Sequence, residues 1–485
     1  MPDNKARNSV KQVIIIIVAL GLMLLIHFLP TPPAVEFHGL HASMTTQGKD
    51  VLAILAFCVL LWITEVIPFT ATALLGLVLL PIFNVYDGNI TAQFSQLAMD
   101  GFGNKAILFL LGVMIMAAGI VRSGLDRRVA LSIIRLFGNR TKYLLLGFLI
   151  TGCLISMWLS DMAVAAILLP VGLGILRLAE CKPLQSNFGR GLMIAVAWGP
   201  LFGGIGTPAG TAANPVIIGF LSELAGINLA FGEWMIIGVP TALLLVPCGW
   251  LLLLLIFPPE MDEIPMGKDT IIKELKALGP LTSNPNQIKA LCIPLLAIIL
   301  WLGFPQMDMA WVSLGVCLLF FIPYIGFLDW KEAEGLTQWG GLVLVAAGLG
   351  LGMAAYRTGL ANYVGYTALG SIIGPLPEFM RLAVTSWLTA IMHAFFSSNT
   401  LTGSIMAPIV IPFAQATGVD VWSTLAPAAF TSSLAFILVT EGPTSVIAHT
   451  SGYFTIKDFA KAGILMTMVA GLVVAISLTI LLRFL

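Results

Sequence analysis

The sequence is poor in charge and carries no clustered cysteines. Only 10% of its 485 residues are charged and the formal net charge is +0, whereas soluble domains carry about 25% charged residues. A chain without excess charge gives no indication of a nucleic-acid partner. The six cysteines are scattered without a Cys-x-x-Cys pair, so neither a zinc site nor a disulfide framework is indicated. No intramembrane protease motif occurs, and the sequence predicts neither a metal site nor an enzyme.

The sequence is instead rich in long hydrophobic runs. Hydrophobic residues make up 58% of the chain, and the mean hydropathy is +0.99. A helix needs about 20 residues to cross a hydrocarbon core about 30 Å thick. Runs of this kind recur along the chain. They predict an all-α polytopic membrane protein with about 11 transmembrane helices and two re-entrant hairpins.

Two apolar stretches are each interrupted by a short polar motif. Residues 143–179 are interrupted at Ser160-Asp161-Met162, and residues 380–416 at Ser398-Asn399-Thr400. Polar backbone at membrane depth survives only where protein or a water-filled cavity satisfies its hydrogen bonds. A repeated interruption is also the best sequence mark of a transporter's binding site. We therefore predict two re-entrant hairpins whose tips form that site.

The order of predicted spans repeats along the chain. Residues 1–49 are predicted to form an N-terminal helix and an outer loop. Three spans, a hairpin, an interrupted span and a further span occupy residues 50–257. The same order returns in residues 287–485, after a charged, Pro- and Gly-containing cytoplasmic linker at residues 258–286. The sequence therefore predicts two structural repeats joined by a linker.

Each repeat crosses the membrane an odd number of times, so the two repeats must be inverted relative to each other. A smaller match supports the repeat, because Arg122-Ser123-Gly124-Leu125 corresponds to Arg357-Thr358-Gly359-Leu360. A cytoplasmic N-terminus places most of the 24 Lys and Arg residues in the cytoplasm, as the positive-inside rule requires. We predict a multi-pass protein of the cell (inner) membrane with its C-terminus outside.

Each hairpin is followed by a span that Gly and Pro residues break, in residues 203–215 and 439–445. These breaks free backbone carbonyls and N–H groups. The N-terminal end of a half-helix is worth about half a positive charge and favours an anion. Neither motif contains Lys or Arg. The sequence therefore predicts an anion site made of helix dipoles and hydroxyls rather than of a fixed cation.

Two acids, Asp161 and Glu441, lie at predicted membrane depth, where an ionisable group indicates function. Carboxylates repel a dianion unless they are neutralised. Bound cations, protonation and a basic neighbour are the three ways of neutralising them, and the sequence does not choose among them. His393 and His449 are the nearest basic residues but are interpreted as packing residues. Asp161 also suits the N-cap of its half-helix. Glu65 is interpreted as a structural buried acid.

At these motifs the chain resembles the divalent anion/sodium symporter family, the di- and tricarboxylate carriers. The resemblance covers nearly the whole length. Besides the hairpins and broken spans, it rests on Trp62-Ile63-Thr64-Glu65-Val66-Ile67-Pro68, Leu328-Asp329-Trp330-Lys331-Glu332 and Ser432-Ser433-Leu434-Ala435-Phe436. The family's Ser-Asn-Thr tip is complete in the second hairpin, whereas the first reads Ser160-Asp161-Met162. Gly210-Thr211-Ala212-Ala213-Asn214 resembles the family's Gly-Thr-Pro-Pro-Asn loop.

The resemblance implies a scaffold domain, a transport (elevator) domain and a homodimer. It implies a substrate-binding set at Ser160, Asp161, Thr211, Ser398, Asn399, Thr400, Gly442 and Pro443. The possible cation or proton sites that it implies are Ser156, Ser160, Asp161 and Gly210 in the first half, and Ser397, Asn399 and Glu441 in the second. Both cation positions gain an acid relative to the family's sodium pattern, which favours the family's sodium-independent exchangers.

The predicted function is therefore obligatory exchange of small dicarboxylates such as succinate, malate or 2-oxoglutarate, by elevator-type alternating access. The alternative is a dicarboxylate symporter coupled to sodium or protons through Asp161 and Glu441. A remoter alternative is an anion channel, because paired hairpins also occur in channels. No cofactor is predicted apart from Na+ as a possible coupled ion. The predicted partners are dicarboxylate anions, the lipid bilayer and a second copy of the chain.

Overall fold

The computed structural model describes residues 2–37, 39–264 and 267–484. This part of the chain is almost entirely helical, as predicted, and contains one antiparallel pair of strands, β1 (Val35–Phe37) and β2 (Leu40–Ala42). Ten of the described helices are long and apolar enough to cross a membrane. They include both arms of the second hairpin and one arm of the first, so the count of complete crossings stays a prediction.

The first half contains both arms of the first hairpin, α7 and α8, and both pieces of the first broken span, α9 and α10. Its helices are α1 (Pro2–Phe28), α2 (Thr46–Thr64), α3 (Phe69–Ile82), α4 (Ile90–Asp100), α5 (Lys105–Ser123), α6 (Leu125–Ile134), α7 (Thr141–Ser156), α8 (Asp161–Leu178), α9 (Asn187–Gly204), α10 (Ala213–Ala225) and α11 (Phe231–Ile256). The first hairpin and the break in the span that follows it lie within a few residues of the positions predicted for them, 143–179 and 203–215.

The second half follows the same order, with α19 and α20 as hairpin arms and α21 and α22 as pieces of the broken span. Its helices are α12 (Gly267–Ala277), α13 (Pro285–Gly303), α14 (Met309–Cys317), α15 (Trp330–Leu336), α16 (Trp339–Arg357), α17 (Leu360–Val364), α18 (Gly370–Ile372), α19 (Glu378–Phe396), α20 (Asn399–Thr417), α21 (Val421–Thr431), α22 (Pro443–His449) and α23 (Ile456–Leu481). Helix α12 lies inside the predicted linker.

Both hairpins turn at a serine that caps the second arm. The Ser160 hydroxyl accepts a hydrogen bond from the N–H of Ala163 at the start of α8. The Ser398 hydroxyl accepts one from the N–H of Leu401 at the start of α20. Such a cap satisfies one of the free N–H groups at a helix start. The polar tips that interrupt the apolar runs are therefore also the signals that begin the second arms.

The two halves pack on each other in reciprocal pairs. Helix α5 packs on α13 and α14 of the second half, and its counterpart α16 packs on α2 and α3 of the first. The short helices follow the same rule, since α15 packs on α5 and α4 packs on α16. Near the hairpins, α10 packs on α20 while α22 packs on α8. Reciprocal contacts of this kind are expected when two halves share the same order of helices. Their opposite orientation in the membrane stays a prediction.

Helix α9 lies against α7 with the two backbones in close contact. Every residue of α9 from Gly191 to Gly204 is buried. A Cβ at Gly203 would overlap the carbonyl oxygen of Cys153 in α7. Glycine is therefore required for this close approach, which sets the first broken span beside the tip of the first hairpin.

Candidate substrate site

The two hairpin tips meet although they are far apart in sequence. The side-chain amide of Asn399, in the second tip, donates hydrogen bonds to Asp161 Oδ2 and to Thr211 Oγ1, both over 3.2 Å. Asp161 belongs to the first tip and Thr211 to the loop of the first broken span. One amide therefore joins the second hairpin to both polar elements of the first half.

The helix starts at the two tips lie at the same site. Helix α8 begins at Asp161 and α20 at Asn399, and both residues line the same cavity. The first N–H groups of a helix have no partner within the helix, and its N-terminal end is positively polarised. The start of α20 can therefore accept negative charge, whereas at the start of α8 the Asp161 carboxylate already accepts the N–H of Met162 over 2.9 Å.

The loop between α9 and α10 is braced by a buried amide. Asn214 Nδ2 donates to the carbonyl oxygens of Gly204, over 2.9 Å, and of Thr207, over 2.7 Å. Asn214 itself is fully buried. These bonds satisfy carbonyls that the break in the helix leaves free. They hold the loop that carries Gly210 and Thr211 against the first tip.

A cavity of about 490 Å³ lies between the tips and the neighbouring spans. Its lining includes every residue of the predicted substrate-binding set: Ser160, Asp161, Thr211, Ser398, Asn399, Thr400, Gly442 and Pro443. The opposite wall is largely apolar and comes from α5 and α16, with Leu110, Val113, Met114, Ala117, Val121 and Leu344. The volume suits a small organic molecule.

The charged groups of the cavity are acidic. Asp161 and Glu65 are part of its lining, and the described lining residues include no Lys or Arg. Glu65 is exposed rather than buried, so its interpretation as a buried acid is wrong. It ends α2 in the left-handed conformation, with φ 50°, and this turns the chain at the edge of the cavity.

The predicted cation positions divide into two groups. Ser160, Asp161, Gly210, Ser397 and Asn399 line the cavity, whereas Ser156 and Glu441 lie outside its lining. The Ser156 hydroxyl donates to the carbonyl of Leu159 over 3.4 Å.

Glu441 turns away from the cavity and braces the second broken span. Its Oε2 accepts a hydrogen bond from the N–H of Ile437 over 2.9 Å, and its Oε1 is buried without a hydrogen-bond partner in the described chain. Glu441 therefore holds the loop before α22, much as Asn214 holds the loop before α10. The described residues contain no group of three or more His, Cys, Asp or Glu side chains that could hold a metal ion.

The two histidines are placed as packing residues. His393 is fully buried, and its Nδ1 lies 2.9 Å from the hydroxyl of Thr402 on the facing arm of the hairpin. The His449 ring packs on Phe454 with the ring centres 5.2 Å apart. Neither forms an ion pair with Asp161 or Glu441 among the described contacts. No basic side chain therefore neutralises the two acids there.

Gln338 is a site residue that the sequence does not reveal. It precedes α16, and its side-chain amide donates to the Ser160 hydroxyl over 3.3 Å while lining the cavity. A single glutamine before an apolar span carries no motif. Only the packing of the two halves brings it to the first tip.

Paired hairpins, broken spans and a cavity with polar hairpin tips on one side and an apolar wall on the other, in an apolar helical chain, define a polytopic membrane transporter. The chain belongs to the sodium:sulfate symporter family, whose transmembrane region matches residues 8–484. This confirms the predicted relation to the divalent anion/sodium symporters, and it confirms that the protein is a transporter and not an enzyme.

Similar proteins include two from staphylococci. The sodium-dependent dicarboxylate transporter SdcS of Staphylococcus saprophyticus is 32% identical over 460 residues, which cover 90% of this chain and 86% of that protein. SdcS of Staphylococcus aureus strain USA300 is 30% identical over 453 residues, or 88% and 85% of the two chains.

Two solved structures share the fold. The YdaH transporter of Alcanivorax borkumensis has a TM-score of 0.59 at 16% identity, covering 90% of this chain and 98% of that one. MtrF of Neisseria gonorrhoeae has a TM-score of 0.54 at 13% identity, covering 97% and 94%. At this level of identity the likeness concerns the fold alone.

Proposed function

We propose that this transporter carries small dicarboxylates, of the succinate, malate or 2-oxoglutarate kind, together with sodium. The observation that carries the proposal is the Asn399 amide, which bridges both halves inside a cavity whose described lining has no Lys or Arg. The sodium-dependent dicarboxylate transporters of the two staphylococci support the same function.

A substrate with two carboxylates suits a site with two helix starts. One carboxylate rests at the start of α20 and faces about half a positive charge, and the other lies near the start of α8, where a cation has to offset Asp161. The Thr211 and Thr400 hydroxyls add hydrogen-bond donors beside them, and the Asn399 amide, which donates to Asp161 and Thr211, holds the two tips together. A hydrogen bond to a charged group contributes about 1.5–3 kcal/mol. Neutral donors of this kind bind the dianion and still release it during turnover.

A cation is needed because Asp161 lies at the first tip. Two like charges 4 Å apart repel by about 4 kcal/mol at an effective dielectric constant near 20. Sodium bound beside Asp161 cancels this repulsion and supplies the positive charge that the described lining lacks. We place the cation positions at the groups that line the cavity, and we assign Ser156 and Glu441 to support the loops behind it.

We further propose that the hairpins and broken spans, α7–α11 and α19–α23, form a transport domain that moves against a scaffold of the other spans. The reciprocal packing of the two halves supports inverted repeats, and such repeats permit alternating access. The family resemblance supports a homodimer and the elevator movement. The distribution of Lys and Arg supports a cytoplasmic N-terminus and an external C-terminus.

Obligatory exchange of dicarboxylates is a second candidate, and Asp161 is the observation that favours it. Its carboxylate already accepts a hydrogen bond from Asn399 Nδ2 over 3.2 Å. In this candidate such built-in partners replace dissociable cations, so that only the loaded carrier reorients. The relatives named above favour sodium coupling over this candidate.

The test is uptake of labelled succinate into proteoliposomes. We expect an inward sodium gradient to drive uptake without internal dicarboxylate, and potassium to give no uptake. Uptake that does not depend on sodium and requires internal succinate would contradict symport and support exchange. Ohmic single-channel current in planar bilayers would contradict both and support an anion channel. Absence of any succinate flux would remove the dicarboxylate proposal.

A further inference from the structure

Two ion pairs join the halves at equivalent places. Arg122, near the end of α5, pairs with Glu332 of α15, with Nη2 and Nε at 2.6 and 2.7 Å from Oε1. Arg357, the last residue of α16, pairs with Asp100 at the end of α4 through Nη2, at 2.8 Å, and Nε, at 3.0 Å. Each arginine belongs to one half and each acid to the other.

Two residues after each arginine, a glycine with positive φ separates two helices. Gly124, with φ +70°, separates α5 from α6, and Gly359, with φ +77°, separates α16 from α17. We call residues 122–125 the first junction and residues 357–360 the second junction. In each half the chain continues from the junction to the first arm of the hairpin.

Each junction also receives a hydrogen bond from the other half. The carbonyl of Ser123 accepts from Gln287 Nε2, near the start of α13, over 3.1 Å. The carbonyl of Thr358 accepts from Thr45 Oγ1, the N-cap of α2, over 2.8 Å. Helices α13 and α2 are counterparts in the order of elements. Both junctions are therefore held by the same two kinds of contact, one ionic and one neutral.

We propose that Arg122 with Glu332, and Arg357 with Asp100, are positioning residues that anchor the two junctions to the opposite half while the hairpins move. This rests on the proposed movement of a hairpin-bearing domain. A helix that leads to a moving hairpin transmits displacement only if its other end is fixed. The positive φ of each glycine sets a sharp change of direction, and the ion pair beside it prevents the end of the span from following the hairpin.

The two anchors differ in strength. The Asp100 side chain is 7% exposed and also accepts hydrogen bonds from Gln96 Nε2, at 2.9 Å, and from the Tyr86 hydroxyl, at 3.5 Å. The Glu332 side chain is 29% exposed and Arg122 54% exposed. Exposed pairs contribute little and are screened by salt, whereas a buried charge that loses its partner is costly. The second junction is therefore the more sensitive of the two.

The experiment compares charge reversals with their swaps in labelled succinate uptake. We expect Arg122→Glu and Glu332→Arg each to lower Vmax about five- to tenfold with little change of KM, because the cavity is not touched. The double variant Arg122→Glu/Glu332→Arg should recover most of the rate. Arg357→Glu should lose more than about tenfold. Arg140→Glu is the control, since its pair with Glu263 is also exposed but joins the start of α7 to the segment after α11, away from both junctions.

Hydrogen–deuterium exchange on the purified variants provides a readout that does not need a substrate. We expect Arg122→Glu to lower protection in residues 125–134 and the charge swap to restore it, with protection of this segment in Arg140→Glu close to that of the unmodified protein. Unmodified protein that transports no succinate would contradict the proposed function alone, and the exchange data would still decide on the anchors. Wild-type Vmax and protection in Arg122→Glu, or a charge swap as impaired as either reversal, would overturn the anchoring proposal.

Discussion

Asn399 joins the tips through one amide, and its removal should weaken substrate binding specifically. We expect Asn399→Ala to raise KM for succinate at least about tenfold, since a lost hydrogen bond to a charged group costs about 1.5–3 kcal/mol. Thr400→Ala should act in the same direction. Met162→Ala is the control, because Met162 lines the same cavity but offers only packing. Equal KM values for the three variants, measured by uptake, would argue against this role of the second tip.

Glu65 places a negative charge at the edge of the cavity, and under the proposed sodium coupling it should attract cations before they reach the tips. We expect Glu65→Gln to raise the sodium concentration for half-maximal uptake up to about fivefold, as about 1 kcal/mol corresponds to one charge at 4 Å in water. High ionic strength should reduce the difference. Glu36→Gln on β1 is the control. Sodium titrations that coincide for Glu65→Gln and the unmodified protein would refute this.

The sequence reveals the tips but not the whole wall of the cavity. Ser398-Asn399-Thr400 is visible because polar residues interrupt an apolar run and a second interruption matches it. Gln338 and Glu65 reach the cavity only through packing between helices that are distant in sequence. The neighbourhood of Gln338 carries no motif, and Glu65 lies in a family motif where the sequence favours a structural buried acid. Glu441 shows the converse, because a carboxylate in a motif adjacent to the site braces its own loop instead of lining the cavity.

At the scale of the helix, the close contact of α9 with α7 should be the least tolerant of added volume. We expect Gly203→Ala to destabilise the protein by about 1–3 kcal/mol or more, because its Cβ would overlap the carbonyl of Cys153. Gly174→Ala on α8 is the control, since nothing lies within 4 Å of its Cβ position. Thermal unfolding, monitored by size-exclusion chromatography, gives the unfolding midpoint of both variants. A Gly203→Ala midpoint equal to that of Gly174→Ala would contradict the packing argument.

The sequence predicts the positions of those helices that coincide with long hydrophobic runs. The hairpin predicted at residues 380–416 comprises α19 and α20, Glu378–Phe396 and Asn399–Thr417. The short helices α4, α12 and α15 have no long apolar run, so hydropathy does not distinguish them from loops. Their role appears only between elements, where α4 and α15 bring acids to the arginines of the other half.

For the whole molecule, sodium coupling should depend on the acid at the first tip. We expect Asp161→Asn to reduce the sodium dependence of succinate uptake, because it removes the charge that sodium compensates. Glu441→Gln should have a smaller effect, as Glu441 lies outside the cavity lining. Uptake in sodium and in choline, measured side by side, separates the two variants. Unaltered sodium dependence in Asp161→Asn would show that the cation is held elsewhere.

The most direct test is equilibrium binding of labelled succinate to the purified protein in sodium chloride and in choline chloride. The account predicts that sodium tightens binding by about tenfold or more, equivalent to about 1.4 kcal/mol, and that Asn399→Ala weakens it in sodium. Equal affinity in both salts, together with unchanged binding by Asn399→Ala, would contradict a dianion held with a cation between the two hairpin tips.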